Sequence, residues 1–221
     1  MVNLDHCRVI VFAKAPISGA VKTRLCPPLT AVEATELHCR MLRHTLNTAS
    51  RAALGPIELH GAGALDHPFF QQCRKEFNIE LKHQVDGDLG MKMKSALTNA
   101  LFQSQHVLLI GTDCPSIAAD YLREAAASLS HEFPIVLGPA EDGGYGLIGV
   151  RGATPDVFAD IAWGSSDVMK STRNILTAKQ LAWRELTPIW DVDRAEDLAR
   201  LACDAQLRYL AKGLIAAPAL A

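Results

Sequence analysis

Short apolar runs alternate with longer amphipathic stretches along almost the whole chain. The segments "VIVFA" (9–13), "IEL" (57–59), "IELKHQV" (79–85), "VLLIG" (107–111), "IVLG" (135–138) and "YGLIGV" (145–150) have the length and branched character of strands. Between them, 30–50 repeats apolar residues at helical spacing, with Leu37, Met41 and Leu46 near one face and Thr30 placed to cap it. The pattern predicts further helices over 66–77, 91–104, 118–130, 166–180 and 194–210, the last aligning Leu198, Leu201, Ala202, Ala205 and Tyr209. A run such as "VLLI", apolar at every position, needs cover on both faces. The alternation therefore predicts an α/β fold with a doubly wound, mostly parallel sheet and helices on both faces. No repeat or charge run interrupts it, and the one Pro/Ala-rich segment is 216–221, so a single domain over 1–221 is expected.

Composition excludes several classes of function. At 221 residues and 49% hydrophobic content the chain can fill one core. Its 22 basic and 24 acidic residues give a net charge of −2, with both signs dispersed, so nothing favours general attraction to nucleic acid or an anionic membrane. A basic site must be local. Cysteines 7, 26, 39, 73, 114 and 203 form no CxxC pair, and the histidines show no HxxxH or HxH spacing, which argues against a zinc knuckle or a disulfide framework. The opening "MVNLDHCRVIVFAKAP" has too short an apolar run for a signal segment or a membrane span, so a cytoplasmic protein is expected.

In such sheets ligands bind beyond the carboxyl ends of the strands, which directs attention to the residues that follow each run. After the first comes "VFAKAPISGAVKTRL", with Ala13, Lys14, Gly19, Lys22 and Arg24. Val21 stands where a Walker A loop needs glycine, so this is not a P-loop. Fixed cations with free backbone N–H groups nevertheless suit a pyrophosphate; a solvated basic loop is the competing reading. In "LLIGTDCPS", Asp113 is placed either to hold a divalent cation or to cap the following helix. In "GPAEDGGYGLIG", Glu141 and Asp142 precede Gly143, Gly144 and Tyr145, a set suited to sugar hydroxyls and equally to a hairpin turn. In "DVDRAEDL", Glu196 and Asp197 suit a first helical turn, while Asp193 either caps that helix or folds back to join Asp113 at a metal. The turn "QVDGDLG" offers Gln84, Gly87 and Gly90 to a base or ribose, or is a plain βα loop. Trp163 in "IAWGSS" lines a substrate pocket or packs.

Taken in order, "VFAKAPISGAVKTRL", "GDLG", "LLIGTDCPS", "LGPAEDGGYGLIGV" and "WDVDRAEDL" resemble a bacterial family of glycosyltransferase-A-like proteins over nearly the whole chain. Its members are described by fold as nucleotide-diphospho-sugar transferases, some linked to arsenosugar biosynthesis. The resemblance implies a GT-A/Rossmann-like fold. It also implies a transferase with a nucleotide-sugar or NTP, a small-molecule acceptor and Mg²⁺ or Mn²⁺. "TDCP" has one aspartate where the usual glycosyltransferase signature has two. It is similar in this to the 2-phospho-lactate and molybdenum-cofactor guanylyltransferases and to the CMP-sugar synthetases. In the synthetases a late "DTPEDL" supplies the second metal aspartate, and Asp193 in "DRAEDL" holds the matching position. Asp113 and Asp193 are thus the implied metal ligands, Lys14, Lys22 and Arg24 the phosphate ligands, and Glu141 or Asp142 the base or sugar ligand. Glycosyl transfer is the first expectation. Nucleotidyl transfer from an NTP to a small phosphorylated substrate is the second, and nucleotide binding without turnover the third.

Overall fold

The computed structural model describes residues 7–214. The Pro/Ala-rich segment 216–221 lies outside them.

Strands and helices alternate as β1 (Cys7–Lys14), α1 (Ala31–Ala52), β2 (Ile57–Ala62), α2 (Pro68–Phe77), β3 (Glu80–His83), α3 (Leu89–Leu101), β4 (His106–Gly111) and α4 (Ala119–Ser128). They are followed by β5 (Ile135–Pro139), β6 (Tyr145–Arg151), α5 (Val168–Ala178), β7 (Trp183–Glu185) and α6 (Ala195–Cys203). All seven strands form one sheet in the order β3-β2-β1-β4-β6-β5-β7. Four of the six pairings are parallel; β6 alone runs against both neighbours. The expected α/β sandwich is present. Because β6 is reversed, its start and the ends of β1, β2, β4 and β5 meet at one rim.

Alternation along β1 explains the two layers. Val9 and Val11 point to one face, where they join Leu42 and Leu46 of α1, Phe70 of α2 and Leu122 of α4. Ile10 and Phe12 point to the other and pack with Met93 and Leu97 of α3 and Met169 and Leu176 of α5. Each such side chain contributes about 1.5–3 kcal/mol by burial. A third cluster joins α6 to α1 through Leu37, Met41, Trp190, Val192, Leu198 and Leu201.

Local signals set the helix ends. Thr30 and Glu33 form a reciprocal capping box at α1, and α1 stops where Ala53 turns left-handed at φ 53°. Asp88 accepts from the N–H of Met91 at 2.8 Å and starts α3 two residues earlier than predicted. The helix predicted over 194–210 ends at Cys203. There Asp204 accepts from the N–H groups of Gln206 and Leu207 and turns the chain into a short 3-10 segment, Arg208–Leu210. Leu198 and Leu201 are buried as expected, but Ala205 and Tyr209 are exposed. The six cysteines are unpaired, and no helix among the described residues is long and apolar enough to cross a membrane.

Candidate active site

A cavity of about 670 Å³ opens at the rim where the strands end. Its wall collects Ala13, Lys14, Lys22, Arg24, Gln84, Asp113, Asp142, Gly144, Tyr145, Trp163 and Asp193 from the sequence analysis. Gly19, Gly87, Gly90, Glu141 and Gly143 lie outside that wall.

The first loop leaves β1 and folds inward at Lys22, which adopts a left-handed conformation at φ 50° and precedes a 3-10 turn, Thr23–Leu25. That conformation carries the Lys22 side chain into the protein, where 4% of it remains exposed. Its ammonium pairs with Asp113 and donates to the Val192 carbonyl at 2.5 Å. Lys22 therefore sits beneath the site as a tie. Arg24 is largely open and pairs with Asp193 at 2.7 Å. Lys14 is exposed at the end of β1, and its carbonyl accepts from His38 Nε2 at 2.9 Å. Burial pushes the His38 pKa down, so the ring is a neutral support at pH 7.

Asp113 stands two residues past β4, with 56% of its side chain open to the cavity. It does not cap α4, whose N-cap is Ala118. Burial pulls its pKa up, but Lys22, with Lys14 behind it, outweighs burial and holds the carboxyl below its usual value. The segment carrying Asp191 and Asp193 folds back beside it. Trp190 exchanges hydrogen bonds with the Ser116 hydroxyl at 3.0 and 3.2 Å, and Val192 N–H donates to the Asp113 carbonyl at 2.8 Å. Asp193 is not the N-cap of α6; Arg194 is. The fold-back thus puts Asp113 and Asp193 in one cavity.

Asp191 was not singled out from the sequence, yet it lines the same cavity. Its carboxylate has no side-chain partner among the described residues. Its pKa is pushed up to about 6, by burial first and then by the negative charges of Asp142, Asp197 and Asp193. Lys92, Thr112 and Ser165 also line the wall unpredicted. A signal for Asp191 existed in the D-x-D spacing of an extended segment, where alternate residues share a face.

Other candidates play different parts. The β5–β6 connection is the tight turn that "EDGG" permits: Asp142 accepts from Gly144 N–H at 2.8 Å and faces the cavity. Glu141 faces away and grips Arg200 at 2.6 and 3.1 Å. Gly143, at φ +91°, is required by a close approach, since a Cβ there would lie 2.0 Å from the Ser166 carbonyl oxygen. Gly90 has a comparable reason: its Cβ would lie 2.7 Å from Trp163 Nε1. The Gln84 amide nitrogen donates to the His60 carbonyl at 2.9 Å. Tyr145 and Trp163 meet edge to face, with centroids 6.3 Å apart, and their hydroxyl and indole nitrogen are both covered and unpartnered. Burial raises the Tyr145 pKa, which leaves the phenol protonated.

Among the described residues, no group of three or more His, Cys, Asp or Glu is arranged to hold a metal. The donor set is of another kind. Asp113 Oδ1 is taken by Lys22 and Asp193 Oδ2 by Arg24, which leaves one oxygen on each carboxylate. Hard oxygens in that number fit a Mg²⁺-like ion that completes its shell with phosphate and water, and do not fit a closed structural site.

The bacterial family DUF2064, described as "Uncharacterized protein conserved in bacteria", matches residues 45–165. No curated protein matches the chain. A provisionally named nucleotide-diphospho-sugar transferase from Desulfovibrio desulfuricans G20 is 29% identical over 92% of this chain and 90% of its own, with a TM-score of 0.82. 4-Diphosphocytidyl-2C-methyl-D-erythritol synthase from Anaerococcus prevotii DSM 20548 is 12% identical over 89% of this chain and 94% of its own, with a TM-score of 0.56. Glucosyl-3-phosphoglycerate synthase from Mycobacterium tuberculosis, solved with Mn²⁺, UDP and glucosyl-3-phosphoglycerate, is 9% identical over 89% and 75%, with a TM-score of 0.54. The last two likenesses are of fold alone. Together the matches agree with the GT-A/Rossmann-like sheet, and the Desulfovibrio protein, 29% identical, carries the name of a transferase.

Proposed function

Given that the chain belongs to the DUF2064 family, we propose that it is a metal-dependent glycosyltransferase with a nucleotide-diphospho-sugar donor. The observation that carries this reading is the charge of the cavity wall. Four cations, Lys14, Lys22, Arg24 and Lys92, face four carboxylates, Asp113, Asp142, Asp191 and Asp193, and the sum is zero. A nucleotide-diphospho-sugar with about two negative charges and one divalent cation keep it at zero. An NTP and a phosphorylated substrate with the same ion leave about four negative charges uncompensated.

Lys14, Arg24 and Lys92 bind the diphosphate, Ala13 and Gln84 lie along the nucleoside, and Lys22 fixes Asp113. Asp113 and Asp193 are the residues that would hold Mg²⁺ or Mn²⁺, which supplies positive charge for the departing diphosphate. Asp142 accepts the proton of an acceptor hydroxyl as its oxygen bonds to the anomeric carbon. The bond from that carbon to the diphosphate breaks, and its electron pair leaves with the phosphate oxygen.

The test is thermal stabilisation with Mg²⁺ or Mn²⁺ across UDP-, GDP- and dTDP-sugars and the free NTPs. Glycosyl transfer predicts that one intact nucleotide-sugar raises the Tm more than any NTP. A larger shift with a free NTP assigns nucleotidyl transfer instead.

A further inference from the structure

His38, on α1, lines the cavity although only 4% of the residue is exposed. One of its nitrogens is committed. Nε2 lies 2.9 Å from the Lys14 carbonyl oxygen, and because a carbonyl can only accept, Nε2 carries the hydrogen. Burial keeps the ring neutral, so Nδ1 is left with a lone pair. Nδ1 has no partner among the described residues, and it is not covered, in contrast to both nitrogens of His106. In a side chain so enclosed, the opening that Nδ1 has is the cavity it lines.

This acceptor belongs to the neighbourhood of Asp113. β1 and β4 run parallel with Phe12 opposite Gly111, so two residues further on Lys14, whose carbonyl holds the ring, comes beside Asp113 at the rim. The Asp113 charge is felt at the ring. A neutral nitrogen lone pair repels the phosphate oxygens that nearby lysines attract; it accepts from an N–H or an O–H. Asp113 and Asp193 each have one oxygen free for a divalent cation, so a Mg²⁺-like ion between them keeps several waters, whose hydrogens the ion makes strong donors. Among the described residues no three His, Cys, Asp or Glu side chains are arranged to hold an ion together, which sets His38 outside the direct ligands.

Resting on the assignment of a divalent cation to Asp113 and Asp193, we infer that His38 is a positioning residue for that ion: Nδ1 accepts a hydrogen bond from a water in the ion's shell and so fixes where the ion sits against Asp113. The unit that holds the metal then reaches back to α1, through a side chain that does not touch the metal.

The experiment measures Mn²⁺ binding to the full chain, with the metal alone as probe, from the loss of the free-ion EPR signal, in wild type and two isosteric variants. In His38→Gln the amide nitrogen takes the place of Nε2 and keeps the bond to the Lys14 carbonyl, while the acceptor is lost. In His38→Asn the amide oxygen takes the place of Nδ1 and the Lys14 bond is lost. The inference expects His38→Gln to keep the wild-type Tm and to bind Mn²⁺ about tenfold more weakly. It expects His38→Asn to melt about 2–4 °C lower and still to bind Mn²⁺ more tightly than His38→Gln. A purely structural His38 gives the opposite order of affinities. That order, equal losses in the two variants, or no loss in either overturns the inference while leaving the metal assignment standing. Wild-type protein that binds no Mn²⁺ overturns the metal assignment, and the inference with it, so the two failures are distinguishable.

Discussion

Glu58 on β2 and Asp191 at the rim are both acids drawn out of bulk water, and the protein treats them in opposite ways. Glu58, with 1% of its side chain exposed, accepts from Arg8 at 2.6 Å and from His60 and Lys82, each at 2.7 Å. Although burial alone would raise its pKa, the His60 and Lys82 contacts win and hold it at about 2. Asp191 has no such donors, and burial together with Asp142 pushes it to about 6. A buried carboxylate surrounded by donors completes a structure; one left without them awaits a ligand.

The largest effect that would break this contrast is at Glu58. Glu58→Ala strands Arg8 and Lys82 against the sheet and is expected to cost about 3–5 kcal/mol in urea unfolding. A loss within experimental error would mean that the network is idle.

Asp191→Asn should do the reverse. Its folded pKa, about 6, lies above the usual 3.8, so the folded state binds the extra proton and wild-type stability falls as pH rises between those values. The variant lacks that loss. In metal-free buffer it should be more stable than wild type at pH 7.5 by about 1–2 kcal/mol, with no gain at pH 3.5. Glu58 gives the opposite slope. Its stabilisation is complete above the usual 4.5 and is lost as pH falls toward about 2, so the wild type and Glu58→Gln should converge on acidification.

The smallest stability effect is expected at the open pair. Arg24→Ala removes an ion partner of Asp193 whose side chain is 65% exposed, and Tm should not move measurably. Nucleoside diphosphate affinity should still drop about tenfold, because the cation serves the ligand rather than the fold. A lower Tm with unchanged affinity would reverse that assignment.

The sandwich was legible because "VLLIG" and its counterparts are apolar at every position and Thr30 and Glu33 have the capping-box spacing. Direction was not legible, since an apolar run reads the same whether its neighbours are parallel or antiparallel, and the reversal of β6 escaped. β7 escaped too: "WRE" is three residues long, and none of them is buried. At the site, residue types marked the loops but not where side chains turn. Lys22 points inward because of a left-handed backbone at a residue type that seldom adopts one, and nothing in "GAVKTRL" announces it. Glu141 and Asp142 are adjacent, and the turn sends one to Arg200 and the other into the cavity.

The close approach at Gly143 has a mechanical consequence. The Gly143 carbonyl accepts from Met169 N–H in the first turn of α5 at 2.8 Å, and Gly143 lies against the Ser166 backbone, so the turn bearing Asp142 is fastened to the start of α5 and abuts the end of the loop bearing Trp163 and Ser165. The two segments meet with no room for a side chain between their backbones at this point. The separation between the Trp163 ring and the Asp142 carboxylate is therefore a ruler cut into the main chain. Exchange of exposed side chains along either segment leaves its length unchanged, whereas a single methyl group at position 143 would reset it.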